Sequence, residues 1–127
     1  MDQQPERVMV RNYRDLTVWQ RAMELVKEVY IVTGEFPSSE KFGLVSQLRR
    51  AAVSIPSYIA EGQGRRSRGE FVQFLGHARG SLFEVETQLL IAAQLGFLSD
   101  EKSNELQQRV NEVARLMNGL MKSLQSK

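Results

Sequence analysis

Residues 41–80 read KFGLVSQLRRAAVSIPSYIAEGQGRRSRGEFVQFLGHARG, and this stretch decides the fold. In its first half Val45, Leu48, Ala52, Ile55 and Ile59 fall three or four residues apart, with Leu44 and Ala51 widening the apolar arc. That is the periodicity of a helix with one buried face. Gly62-Gln63-Gly64 interrupts it. Beyond the break, Ser67 and Glu70 have the spacing of a capping box. A second apolar seam follows at once: Phe71, Leu75, Ala78, Leu82, Val85 and Leu89. The spacing therefore predicts two helices, over 39–62 and 67–95, joined by a short turn rich in glycine and arginine.

The same period extends to both sides. Upstream, Asp15 is a good N-cap, and Trp19, Met23, Val26, Tyr30 and Thr33 lie four, three, four and three residues apart, predicting a helix over 15–34. Gly34-Glu35-Phe36-Pro37 ends it, and Ser38 or Ser39 opens the next. Downstream, Gly96 reads as a residue just past a helix end, and Phe97 and Leu98 as a fold-back onto the core. Ser99-Asp100-Glu101 restarts a helix with acids at its positive end. Leu106, Val110, Val113, Met117, Leu120 and Leu124 carry that helix over 99–125. Nothing alternates convincingly with period two. Four amphipathic helices with connections of about two to eight residues make the expected class all-α, an antiparallel four-helix bundle. The expected domain plan is a flexible N-terminal segment, 1–12, and a bundle domain, 13–127.

Two features break local rules. Pro56 sits inside the first seam, where it removes a backbone hydrogen bond and crowds the preceding turn, at a typical cost of about 3 kcal/mol. A kink near Ser54 to Pro56 is expected, either to bend the helix around its neighbours or to shape a face between subunits. Gly76 and Gly80 each cost about 1 kcal/mol relative to alanine in a helix. They lie one turn apart and permit close approach of another backbone, within the chain or across an oligomer contact.

Composition bounds the function. With 127 residues, 42% apolar and 25% charged, the chain has room for one ordinary soluble core. It has no cysteine, which excludes a disulfide framework and thiolate metal sites and fits a reducing compartment. The N-terminus MDQQPERVMV lacks an apolar signal region, and the longest aliphatic run, Leu89 to Ala93, is too short to span a bilayer. A cytoplasmic location without membrane contact is expected.

Catalytic patterns fail one by one. A carboxylate-bridged di-iron bundle needs Glu-x-x-His from two helices, but His77 is the sole histidine and Phe74 stands three residues before it. His77 reads as a polar-face residue. Glu84 and Glu86 fall on different helix faces, and Glu24 and Glu28 lie on an exposed face with Arg21 and Lys27. Glu86 reads as the acceptor for an arginine of another helix, Arg49 being the candidate. No GxxxxGK or GxSxG motif is present. No enzyme, metal or cofactor is expected.

Charge is the informative signal. Residues 41–80 hold seven basic side chains against two acids, a net of +5, whereas the rest of the chain holds ten against thirteen, a net of −3. The overall +2 conceals this polarity. Arg65, Arg66 and Arg68 flank a helix N-terminus, whose free N–H groups and positive dipole end attract anions. Arg50 lies on a polar stripe with Gln47, Ser54, Ser57 and Glu61, and Arg49 stands beside it. These arginines are either solvated or acid-paired surface, or a phosphate-binding surface. Tyr58 is the one aromatic among them, so contact with the nucleic-acid backbone is favoured over base stacking.

The strings DLTVWQRA, FPSSEKFGLVSQLRRAAVSIPSYIAEGQGR and GSLFEVETQLLIAAQLGFL, spread over Asp15 to Leu98, resemble the four-helix-bundle proteins encoded by intervening sequences of bacterial large-subunit (23S) ribosomal RNA genes. A related branch is similar to the accessory protein of diversity-generating retroelements, which binds nucleic acid and a reverse transcriptase. The resemblance implies an up-down-up-down bundle that forms a homo-oligomeric ring of five, with a basic surface at a central channel. The matching basic positions are Arg49, Arg50, Arg65 and Arg66. Tyr58 replaces a frequent asparagine, and Gln63 a frequent aromatic. The wide apolar arc of the second helix also points to an oligomer. The expectation is non-catalytic binding of RNA or DNA through phosphates by Arg49, Arg50, Arg65, Arg66 and Arg68. The rival is an adaptor ring for a protein partner such as a reverse transcriptase.

Overall fold

The structure, a computed structural model, describes residues 12–126, so the expected flexible segment falls, apart from Asn12, outside the described residues. Four helices account for most of it: α1, Thr17–Thr33; α2, Leu44–Gln63; α3, Arg68–Gln94; and α4, Asp100–Gln125. Short 3-10 turns at Tyr13–Asp15 and Ser38–Glu40 precede α1 and α2, and the described residues contain no strand. α1 packs against α2 and α4, α3 packs against the same two, and the α2–α3 pairing is the most extensive.

The cores of α2, α3 and α4 follow the expected seams. Leu48, Ile55, Ile59, Leu75, Leu82 and Val113 are all buried to within about 1%. The start signals of α3 and α4 also hold. Ser67 Oγ accepts from the Glu70 N–H at 3.1 Å, and Ser99 Oγ from the Lys102 N–H at 3.1 Å. At the end of α3 the Phe97 N–H reaches the Ala92 carbonyl at 2.9 Å and the Gly96 N–H the Ala93 carbonyl at 3.1 Å, a Schellman motif in which Gly96 takes φ 83°. The reversed chain brings Phe97 onto Phe36, ring centroids 5.5 Å apart.

α1 departs from expectation in two ways. Asp15 lies inside the 3-10 turn, where Asn12 Oδ1 accepts from the Arg14 N–H at 2.7 Å, and α1 begins after Leu16 with no side-chain cap. The buried stripe is Val18, Ala22, Leu25, Val29 and Val32, one position earlier than the Trp19–Met23–Val26–Tyr30 set, and of the expected seam only Thr33 is buried. Both sets share the same spacing, so periodicity alone does not choose between them. Packing chooses the small and aliphatic set for the narrow centre, leaving Trp19 half-buried and Tyr30 exposed. α2 likewise starts five residues after Ser39, with its Leu44 N–H capped by Glu40 Oε1 at 3.3 Å.

α2 runs through Pro56 without interruption, and Pro56 is buried. Its wide apolar arc is covered within the chain, because α2 lies between α1 and α3: Ala51 is buried and Leu44 packs on the core. The close helix approach occurs at Gly62 and not at Gly76 or Gly80. A Cβ at Gly62 would lie 2.8 Å from Phe74 Cβ and 2.9 Å from Phe71 Cδ1, whereas one at Gly76 or Gly80 would meet nothing within 4 Å.

Chemical denaturation separates these readings. Gly62→Ala should lose about 1–2 kcal/mol despite its better helix propensity, because Phe74 Cβ is fixed to the backbone. Gly119→Ala, where a Cβ meets nothing within 4 Å, should gain up to about 1 kcal/mol. Leu82→Ala should lose about 2–5 kcal/mol as a buried-cavity change.

Candidate nucleic-acid interface

Four of the five expected arginines are exposed, on α2 and around the α2–α3 turn, and the fifth is engaged within the chain. α2 ends where the Gly64 N–H meets the Ala60 carbonyl at 3.2 Å, and the Arg65 N–H closes on the Gly62 carbonyl at 3.1 Å. This tight turn leaves Arg65, Arg66 and Arg68 exposed around the start of α3. Arg50 is exposed on α2, about 20 Å back along the helix from the turn. Arg49 instead reaches α1. Its Nε donates to Thr33 Oγ1 at 2.8 Å, its Nη2 to the Tyr30 carbonyl at 3.1 Å, and its guanidinium lies 4.4 Å from the Tyr30 ring centroid.

Arg49 thus satisfies a carbonyl at the negative end of α1, a use of its planar fork that holds the α1–α2 corner. It does not meet Glu86, as its sequence position suggested. Glu86 accepts from Gln107 Nε2 on α4.

The remaining charges divide the surface. On α1 and α4, Arg21 pairs with Glu24 at 3.1 Å and with Glu112 at 3.3 Å, Arg109 with Glu24 at 3.7 Å, and Lys102 with Glu105 at 2.8 Å. The Lys102–Glu105 hydrogen bond raises the lysine pKa and lowers that of the carboxyl. Among the described residues no arginine of the segment 41–80 has a carboxylate within 4.0 Å. The described ion pairs thus all lie on α1 and α4.

Between α2 and α3 runs an open polar groove of about 520 Å³, lined by Gln47, Arg50, Ser54, Tyr58, Ser81 and Glu84. Ser54 Oγ and Ser81 Oγ are 2.7 Å apart. At one end Gln88 Nε2 donates to Gln47 Oε1 at 3.3 Å, and the buried Gln88 Oε1 has no partner among the described residues. Ser57, expected on this stripe, lines an apolar groove between α1 and α2.

At the other end stands an aromatic group that the sequence did not reveal. The Tyr58 ring lies 5.5 Å from His77 and 6.3 Å from Phe74, Phe74 and His77 are 5.8 Å apart, and the Arg65 guanidinium lies 4.6 Å from the Phe74 centroid. Phe74 and His77 are three residues apart, hence on one helix face, and that signal was available. Their meeting with Tyr58 required the register between helices. The contacts Gln47–Gln88, Ser54–Ser81 and Tyr58–His77 show it, with numbers rising by seven and four on α2 and falling by the same steps on α3.

No group of three or more metal-ligating side chains occurs among the described residues, and no described helix is long and apolar enough to cross a membrane.

Fold and surface together define an all-α, four-helix protein in which Arg50 of α2 and the arginines around the α2–α3 turn are exposed with no carboxylate within 4.0 Å among the described residues. Residues 14–119 match the family described as 23S rRNA-intervening sequence protein, and the chain belongs to that family. In structure it is similar to a protein of unknown function from the S23 ribosomal protein family of Bacteroides thetaiotaomicron, with a TM-score of 0.77 and 21% sequence identity over 83% of this chain and 95% of that one. At that identity the likeness is one of fold. No curated protein matches the chain significantly.

The two neighbouring arginines should behave differently. Arg49→Gln should lower unfolding stability by about 1–2 kcal/mol, by removing charge-assisted bonds at the α1 terminus. Arg50→Gln should change it by no more than about 0.5 kcal/mol. Urea titrations of both variants measure this directly.

Proposed function

We propose that the protein is a non-catalytic binder of RNA or DNA that acts in the cytoplasm and grips the phosphate backbone with Arg50, Arg65, Arg66 and Arg68. One observation carries the reading: these exposed arginines have no carboxylate partner among the described residues, whereas Arg21, Lys102 and Arg109 on α1 and α4 do. A guanidinium without an internal anion is available for an external one, and Arg suits bidentate phosphate contact. Arg65, Arg66 and Arg68 add to the positive end of α3.

The same reading has an antiparallel, up-down-up-down bundle assembling as a homo-oligomeric ring of five chains. Support comes from exposed apolar surface on more than one helix. Met23 and Val53 are 44% and 41% exposed at the α1–α2 groove, and Phe83 and Leu90 are 49% and 48% exposed on α3, on the face that holds Gly76 and Gly80. Two unlike apolar surfaces suit head-to-tail contacts, which close into rings. A ring would multiply a modest charge per chain. The second reading, an adaptor for a protein partner such as a reverse transcriptase, is favoured by Phe42, which stands 88% exposed in the α1–α2 connection.

Light scattering should give a mass several times the 14.5 kDa chain, with five the expected multiple; a monomer at micromolar concentration would refute the ring. Replacing Arg65, Arg66 and Arg68 together by glutamine should weaken binding alike for unrelated sequences. It should also flatten the slope of log affinity against log salt by about 2–3, with helicity and mass unchanged. Equal binding by the parent and triple variant would remove this turn from the site. Absence of any binding by the parent at about 50 mM salt would favour the adaptor.

A further inference from the structure

Resting on that reading, we infer that the nucleic acid this surface takes is unpaired, and that its bases stack on the Tyr58–His77 platform while Arg50 and the 65–68 turn hold phosphates on either side. The geometry supplies each element. Tyr58 lines the α2–α3 groove together with Arg50, Ser54 and Ser81. His77 is exposed beside it, with ring centroids 5.5 Å apart. The Arg65 guanidinium lies over the Phe74 ring, 4.6 Å from its centre, which places a cation directly beside the aromatic group.

A charged groove with aromatic side chains is the arrangement that binds single strands, because every base presents a π-face and the backbone tracks the positive charge. A duplex holds its base faces inside its own stack and cannot use the platform. Backbone contacts alone would not distinguish the two forms. From Arg50 to the turn is about 20 Å along α2, a path for a few nucleotides and too long for one. Between these cations Ser54, Ser81 and Glu84 offer hydrogen-bonding groups to base edges, with the Glu84 carboxylate accepting only from exocyclic amino or ring N–H donors.

The test compares the full-length protein on single-stranded RNA, single-stranded DNA and duplex DNA of about 20 nucleotides at one salt concentration, by fluorescence anisotropy with labelled oligonucleotides. The single strands should bind at least about tenfold more tightly than the duplex. The RNA and DNA arms tell which backbone is preferred. His77→Ala alters an exposed side chain, and Tyr58→Leu retains apolar volume against the core while removing the aromatic face. Each should lower single-strand affinity by about fivefold or more, leave duplex affinity within about twofold, and leave the salt slope unchanged. Tyr58→Phe should retain the single-strand preference. Equal affinity of the parent protein for single strand and duplex would overturn the stacking inference and leave the phosphate reading intact. So would unchanged single-strand affinity in both His77→Ala and Tyr58→Leu. Failure of the parent to bind any of the three at about 50 mM salt would overturn both.

Discussion

The absence of a side chain at Gly62 is the constraint on which the candidate surface depends. With Phe74 Cβ 2.8 Å and Phe71 Cδ1 2.9 Å from where a Cβ would stand, the last turn of α2 lies directly on the first turns of α3. Because helices pack at distances set by the side chains between them, removing one here draws the two backbones together. That contact fixes the register in which Ser54 meets Ser81 and Tyr58 meets His77. It also obliges the chain to reverse within a few residues, so Arg65, Arg66 and Arg68 are displayed on the turn and cannot be folded into the core.

The corner between α1 and α2 is held by different means. Arg49 bridges to Tyr30 and Thr33, and the Thr33 hydroxyl donates onward to the Val29 carbonyl at 2.7 Å. A residue that adds to the positive charge of the sequence is here spent on a helix terminus. Counting charge along the chain therefore overstates the surface by one arginine. The overstatement matters less than the partition of the rest. Glu24, Glu105 and Glu112 pair with Arg21, Lys102 and Arg109 on α1 and α4, whereas the arginines of α2, α3 and their turn have no carboxylate within 4.0 Å among the described residues. Exposed pairs of this kind contribute little to stability, and their effect is on where the molecule is positive.

Much of this was legible in the residues. The seams of α2, α3 and α4, the Ser67 cap and the Gly96 terminus rest on spacing and cap chemistry, which act locally, and the helices lie close to where those signals put them. The α1 stripe was displaced by one position because Val18-Ala22-Leu25-Val29 and Trp19-Met23-Val26-Tyr30 have identical spacing, and only packing distinguishes them. The membership of the chain in the rRNA intervening-sequence family was legible from its strings. What could not be read was contact between helices: that Gly62, and not Gly76 or Gly80, marks the close approach, and that Phe74 and His77 join Tyr58. Local pattern carries no information about register, and register decides which side chains of two helices share a surface.

The central claim is that the α2–α3 hairpin is the surface on which anionic polymers are held. Hydrogen exchange followed by mass spectrometry, with and without a bound single-stranded oligonucleotide, locates that surface without altering any residue. The account predicts slowed exchange concentrated in the 63–70 turn and the first turns of α3, with the Arg21–Glu24–Arg109–Glu112 face of α1 and α4 unchanged. Protection confined to that acid-paired face, with none at the turn, would contradict it.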